Sequence, residues 1–245
     1  MFGISRKNNK IPAEVKLFLG GLSGQSEERF WEFTVYTTYS ATASTTDHEP
    51  LTGDALDTAV NSRFQSYIQA YLRFNIEEPF DLKIPLKIEF IRLPRATLDG
   101  ARMHFRDSTG WPVTSELREQ RWDEGHNSMR YNYLIILDDE TLTTLLNAPP
   151  AITTLPNTED YFQTTKQEDN IVIKIVDVHY DESCDGEVLA ISCRNFTKGS
   201  SDCVTCYGYI KTTPIWLQSL WVSLSDMGFK HVFKHKDVVY RGGDF

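Results

Sequence analysis

The chain has 245 residues and carries 34 acidic against 25 basic side chains, a net charge of −9, with 40% hydrophobic and 24% charged residues. That composition excludes disorder, collagen and coiled coil, and leaves a globular chain long enough to close one substantial core. The negative balance gives no drive toward phosphate backbones or anionic lipid, no run reaches the roughly 18 apolar residues of a membrane span, and the opening MFGISRKNNK lacks the apolar stretch of a secretory signal; the expectation is a soluble intracellular protein that binds neither nucleic acid nor membrane.

Residues 1–25 hold a short amphipathic helix. Ile11, Val15, Phe18, Leu19 and Leu22 recur at helical spacing, Pro12 suits a first turn, and Gly20 and Gly21 stop it. A helix this short needs something to pack against, either its own domain or a neighbouring chain. Phe30 to Tyr39, FWEFTVYTTY, alternates as a strand with Trp31, Phe33 and Val35 on one face. From Asp54 toward Phe74 a helix is expected, because Leu56, Val60, Phe64 and Ile68 fall four apart, with Tyr67 and Tyr71 widening the stripe.

Phe80 to Phe90 alternates apolar and polar residues over eleven positions, which predicts a strand. Pro85 cannot donate a ladder hydrogen bond and so places this strand at an edge or a bulge; the slip of phase at Phe90 and Ile91 predicts a bulge there. The stretch around GARMHFRDSTGWP reads as polar connection, VTSELREQRW as a short helix and RYNYLIIL as a strand. Residues 147–169, rich in Pro, Thr and Asn, read as a long surface excursion. IVIKIVDVHY, EVLAISC and CVTCYGYI follow as strands. A closing helix has Thr213 as its cap, Pro214 in its first turn, Leu217, Leu220, Trp221 and Leu224 as its buried stripe and Gly228 at its end. The tail FKHVFKHKDVVY reads as a last strand.

Many short strands, two marked helices (near 54–74 and 214–228) and no βαβ rhythm predict a mainly β protein with helices. The expected form is an antiparallel β-sandwich of jelly-roll type, with one domain over residues 26–245 behind a helical arm at 1–25.

Searches for chemistry fail one by one. Cys203 and Cys206 have the spacing of half a zinc ribbon, but Cys184 and Cys193 are nine apart and supply no second knuckle, so reduced thiols are the expected state and no metal site is assigned. His231 and His235 share a strand face with Phe229 and Phe233 among lysines, an arrangement of a solvated or inter-subunit face. In Gly21-Leu-Ser23-Gly24-Gln25 the last glycine of a nucleophile elbow is replaced by Gln25, and neither glycine-rich phosphate motif is present. Asp138, Asp139 and Glu140 end a strand and open LTTLL, where acidic residues favour a helix N-terminus more than a carboxylate pair for catalysis. Asn195-Phe-Thr197 is a sequon without a secretory context. No catalytic residue is assigned and no cofactor is required.

Taken in order, the helical arm, WEFTVYTTYS, DALDTAVNSRFQSYIQAY, PLKIEFIRLP, GWPVTSELREQRW leading into MRYNYLII, IVIKIVDVHY and PIWLQSLWVSLSDMGF resemble the layout of the cypovirus polyhedrins along the whole chain. That resemblance implies a structural protein of viral occlusion bodies: a trimer with a β-sandwich body that assembles into a crystalline lattice around virus particles in the host cytoplasm. The arm, through Ile11, Val15, Phe18, Leu19 and Leu22, would make lattice contacts with neighbouring trimers. Some members of that family hold a nucleotide in the lattice; no residue here can be assigned to one. Ionising four cysteines and eleven tyrosines takes the charge from −9 to −24, so alkali of the insect midgut would oppose close packing and release the contents. A rhabdovirus-like matrix protein is the alternative, disfavoured by the sign of the charge and by Pro149-Pro150 lacking the tyrosine of a budding motif; a zinc or cysteine enzyme around Cys203, Cys206 and His179 ranks third.

Overall fold

The computed structural model describes residues 11–20, 22, 30–40, 42, 43, 51–109, 132–151, 170–178, 209–214, 217, 220, 221, 224, 239 and 240. Trp31–Thr37 forms β1, and Thr42–Ala43 (β2) pairs with Leu51–Thr52 (β3) in a small antiparallel ribbon. Helix α2, Gly53–Leu72, runs into a π-helical turn, Arg73–Glu77, and a last short helix, α3, Glu78–Phe80, which ends on Asp81 in the left-handed region at φ 52°. Next come β4 (Leu86–Arg92), α4 (Leu98–Thr109), β5 (Tyr133–Leu137), α5 (Asp139–Asn147), β6 (Ile173–Asp177), β7 (Tyr209–Thr212) and β8 (Val239–Tyr240).

Among the described residues, six strands make one mixed sheet in the order β4-β1-β5-β6-β7-β8. The central strand β1 is parallel to both neighbours, Trp31 opposite Leu86 on one side and Val35 opposite Ile135 on the other; β6 is antiparallel to β5 and β7, and β8 is parallel to β7. This corrects the expected antiparallel sandwich. The described residues form a strand and helix fold in which β1-α2-β4 is a crossover unit and α4 lies on the path from β4 to β5, so a βαβ rhythm is present after all.

The reason lies in burial on both faces. Trp31, Phe33 and Val35 of β1, Ile135 and Leu137 of β5, and Ile173 and Ile175 of β6 pack with Leu56, Val60 and Phe64 of α2 and with Leu142 and Leu145 of α5. The opposite side chains, Tyr36, Leu134, Ile136 and Val176, pack with Ala101 and Phe105 of α4. A strand covered on two sides must be apolar at successive positions, and a parallel pair needs a helical crossover to cover it.

Strand β4 ends the described sheet on one side, but it begins only at Leu86, since Phe80 closes a helix and Pro85 precedes the strand with its carbonyl bonded to Trp31; its register against β1 is unbroken through Phe90 and Ile91, so no bulge forms. The change of phase there marks a change of face: Phe90 packs on the α2 side, Ile91 on the α4 side. Helix α1, Ala13–Gly20, turns its apolar side onto this chain's own core. Val15, Phe18 and Leu22 are buried, Ile11 and Leu19 pack partly against the same cluster, and the Phe18 ring stands edge-on to Trp31 at 5.2 Å. Trp31 and the cluster around it supply the apolar surface that so short a helix needs. Leu217, Leu220, Trp221 and Leu224 are helical and buried in that cluster. The expected helix at 113–122, the strand EVLAISC, the surface excursion from residue 152 onward and most of the tail lie outside the described residues.

Candidate functional site

The crossover from β1 to β4 carries α2 over one face and the path from β4 to β5 carries α4 over the other, so β4 and β5 lie on opposite sides of β1 and the order of strands reverses between β1 and β5. The carboxyl ends of the strands beside such a reversal are where doubly wound sheets open a crevice. Here the main chain knits that end together: Thr38 N–H donates to the Leu137 carbonyl at 2.9 Å, Leu93 N–H to the Thr37 carbonyl at 3.0 Å and Arg95 N–H to the Thr38 carbonyl at 2.8 Å.

Charged side chains then fill the edge. Asp138 caps α5, accepting from the Thr141 N–H at 3.1 Å and from its hydroxyl at 3.3 Å, while Asp139 accepts from the Ser40 N–H at 2.9 Å and the Ser40 hydroxyl at 3.1 Å. These bonds tie the exit of β1 to the start of the helix that follows β5. Lys174 of β6 bonds Asp138 and stands 3.3 Å from Glu140, and Lys211 of β7 donates to Glu140 at 2.9 Å. Burial works against the Lys174 ammonium, but the bonds to Asp138 and the charge of Glu140 outweigh it and raise its pKa above the ordinary lysine value.

A second group adjoins the exit of β1. The Tyr39 hydroxyl donates to Asp57 at 2.6 Å, Arg92 Nε lies 3.3 Å from the other Asp57 oxygen, and the Arg92 guanidinium sits over the Tyr39 ring at 4.3 Å. Burial and then the Asp57 carboxylate raise the Tyr39 phenol far above its ordinary value, with Arg92 opposing. Arg92 Nη1 is buried without a hydrogen-bond partner. On the opposite face Tyr36, hydrogen-bonded to His104 Nδ1 at 3.0 Å, is pushed up to about 12, by burial first and by the charge of Glu89, with a Ser108 hydrogen bond opposing.

The acidic run Asp138, Asp139 and Glu140 thus stands where the sequence put it, at a helix N-terminus after a strand. Its cationic partners were not foreseen. Lys174 and Lys211 each interrupt an apolar strand, in IVIKIV and YIKT, which was their only signal; Arg92, Asp57 and Tyr39 meet only through the fold. Cys184, Cys193, Cys203, Cys206, His179, His231, His235, Ser23 and Asn195 lie outside the described residues. Among the described residues no group of three His, Cys, Asp or Glu side chains comes together to hold a metal ion, and no helix is long and apolar enough to cross a membrane.

The network predicts a measurable loss. Lys174 is 13% exposed, and replacing it with Met leaves the Asp138 and Glu140 carboxylates side by side without their shared cation. Lys174→Met is expected to lower stability by about 2 kcal/mol in urea denaturation, between the values for surface and fully buried pairs. An unchanged midpoint would mean that solvent already screens these charges.

Comparison with protein-family models, with curated proteins and with solved structures finds no match to this chain.

Proposed function

We propose that the protein is structural, that it works by associating with copies of itself, and that it carries out no reaction. The observation that carries this reading is the state of the carboxyl edge of the sheet. Each of the described carboxylates there is already bonded within the chain: Asp138 to Lys174 and Thr141, Asp139 to Ser40, Glu140 to Lys211, Asp57 to Tyr39 and Arg92. A general acid or base must be within reach of a substrate proton, and groups spent on bracing neighbouring strands are poorly placed for that work. The resemblance to occlusion-body proteins adds the setting: assembly of trimers into crystals around virus particles in the host cytoplasm, with release in alkali. Its sandwich body is not part of the proposal, since the described sheet is mixed.

Expression in insect cells tests it. Faceted cytoplasmic particles that persist in neutral buffer and dissolve above about pH 10, near the ordinary tyrosine value, support the occlusion setting. Purified protein that stays monomeric at high concentration rejects self-association altogether.

A second reading is favoured by one feature, the reversal of strand order between β1 and β5 with the unpartnered Arg92 Nη1 at that end. It makes the protein a binder of a small polar molecule at the carboxyl edge. A rise in melting temperature with a small anionic ligand, absent in Arg92→Gln, would favour it over assembly.

A further inference from the structure

Among the described residues, strand β4 ends the sheet on one side, and its outer edge points away from β1. Which main-chain groups face outward follows from the ladder. The Trp31 N–H donates to the Pro85 carbonyl at 2.9 Å and the Leu93 N–H to the Thr37 carbonyl at 3.0 Å, with unbroken register between them. In a parallel ladder every second residue bonds inward, so Pro85, Lys87, Glu89, Ile91 and Leu93 serve β1, and the N–H and C=O groups of Leu86, Ile88 and Phe90 face outward.

Natural sheets usually blunt such an edge with proline or with charge. Pro85 does not do so here, because its nitrogen lies on the β1 side. The charges do not do so either, because they complement a copy of themselves. Laid antiparallel about a two-fold axis at Ile88, two β4 strands set Leu86 opposite Phe90 and Ile88 opposite Ile88 as hydrogen-bonded pairs. Lys87 then falls opposite Glu89 in the closer, non-hydrogen-bonded pairs, twice by symmetry. Lys87 and Glu89 are exposed, while Leu86, Ile88 and Phe90 are only half-buried in the single chain.

We propose that the outer edge of β4 is a homotypic interface, where a second copy of the chain joins antiparallel about Ile88 and continues the sheet. A two-fold contact is isologous, so one patch serves both partners. This rests on the self-association reading and names the surface through which it begins.

The experiment is sedimentation equilibrium of the full chain, comparing wild type with Glu89→Lys, Lys87→Glu and the double exchange. Each single change sets like charges opposite at two places. The expected result is a dissociation constant raised about tenfold or more by either single change and returned toward the wild-type value by the double exchange. Both substitutions are at exposed positions, and circular dichroism confirms the fold of all three variants. Association that is equal in all four proteins overturns the β4 interface and leaves self-association standing by another surface. Single changes that weaken association without rescue by the exchange overturn the Ile88 register. A wild-type chain that stays monomeric overturns both readings.

Discussion

Raising the pH from about 10 to about 12 is expected to remove several kcal/mol of stability, and Tyr36→Phe is expected to make that decline shallower. In the unfolded chain a phenol ionises at its ordinary value of 10.0, whereas in the folded protein Tyr36 keeps its proton to about 12 and Tyr39 to a still higher value. Between those limits the unfolded chain binds fewer protons than the folded one, so unfolding releases protons and stability falls as the pH rises. Tyr36 alone accounts for about 2–3 kcal/mol at about 1.4 kcal/mol per pH unit. Lys174 acts in the same direction. Its pKa is raised in the fold, so its contribution is complete below the ordinary lysine value and is lost as the pH climbs through the folded value. Urea midpoints taken from pH 9 to 12 measure the effect. A flat profile, or equal slopes for wild type and Tyr36→Phe, would overturn it.

The result bears on how alkali would open an assembly. The charge of −24 assumes that every phenol ionises, yet Tyr36 and Tyr39 do not ionise near pH 10 while the chain is folded. Loss of these protons instead drives unfolding, so release in alkali would combine repulsion between exposed groups with failure of the fold itself.

How far the sequence exposes this architecture depends on what each residue conceals. Helix α2 was legible because Leu56, Val60, Phe64 and Ile68 keep helical spacing and all four are buried. Strand β1 was legible as a strand but not as a central one. Its second face is made by Thr34 and Tyr36, whose polar groups give no sequence signal of burial, yet both are buried. Helix α4 was missed for a related reason. Its stripe of Leu98, Ala101 and Phe105 is short of large side chains, Gly100 interrupts it, and its core position 102 is an arginine, 3% exposed, whose Nε donates to the Asp177 carbonyl at 3.0 Å. At the carboxyl edge, the acidic run was visible because a helix start is a local event. The Asp138 to Lys174 and Asp57 to Arg92 pairings depend on strand order, which no local pattern specifies.

Truncating Phe33 to alanine is expected to destabilise the protein by about 3–5 kcal/mol, enough to lower the melting temperature by roughly 10 °C. Phe33 is fully buried on the central strand, where three elements meet around its ring. Trp31 stands 5.3 Å away at 75°, Phe64 of α2 6.4 Å away at 81°, and Trp221 5.8 Å away at 56°. Edge-on contacts of this kind add to the burial of area, and a cavity at the junction removes all of them together. The neighbours have little freedom to refill the space: Trp31 is held on its other side by Phe18, and Phe64 by Phe90 at 6.3 Å. Met103 on α4, 62% exposed, supplies the contrast, since Met103→Ala removes little packed surface and should leave the urea midpoint almost unmoved. A loss at Phe33 below about 1 kcal/mol would mean that the cluster repacks around the gap, and the helices at 13–20 and 53–72 would then not be anchored through this ring.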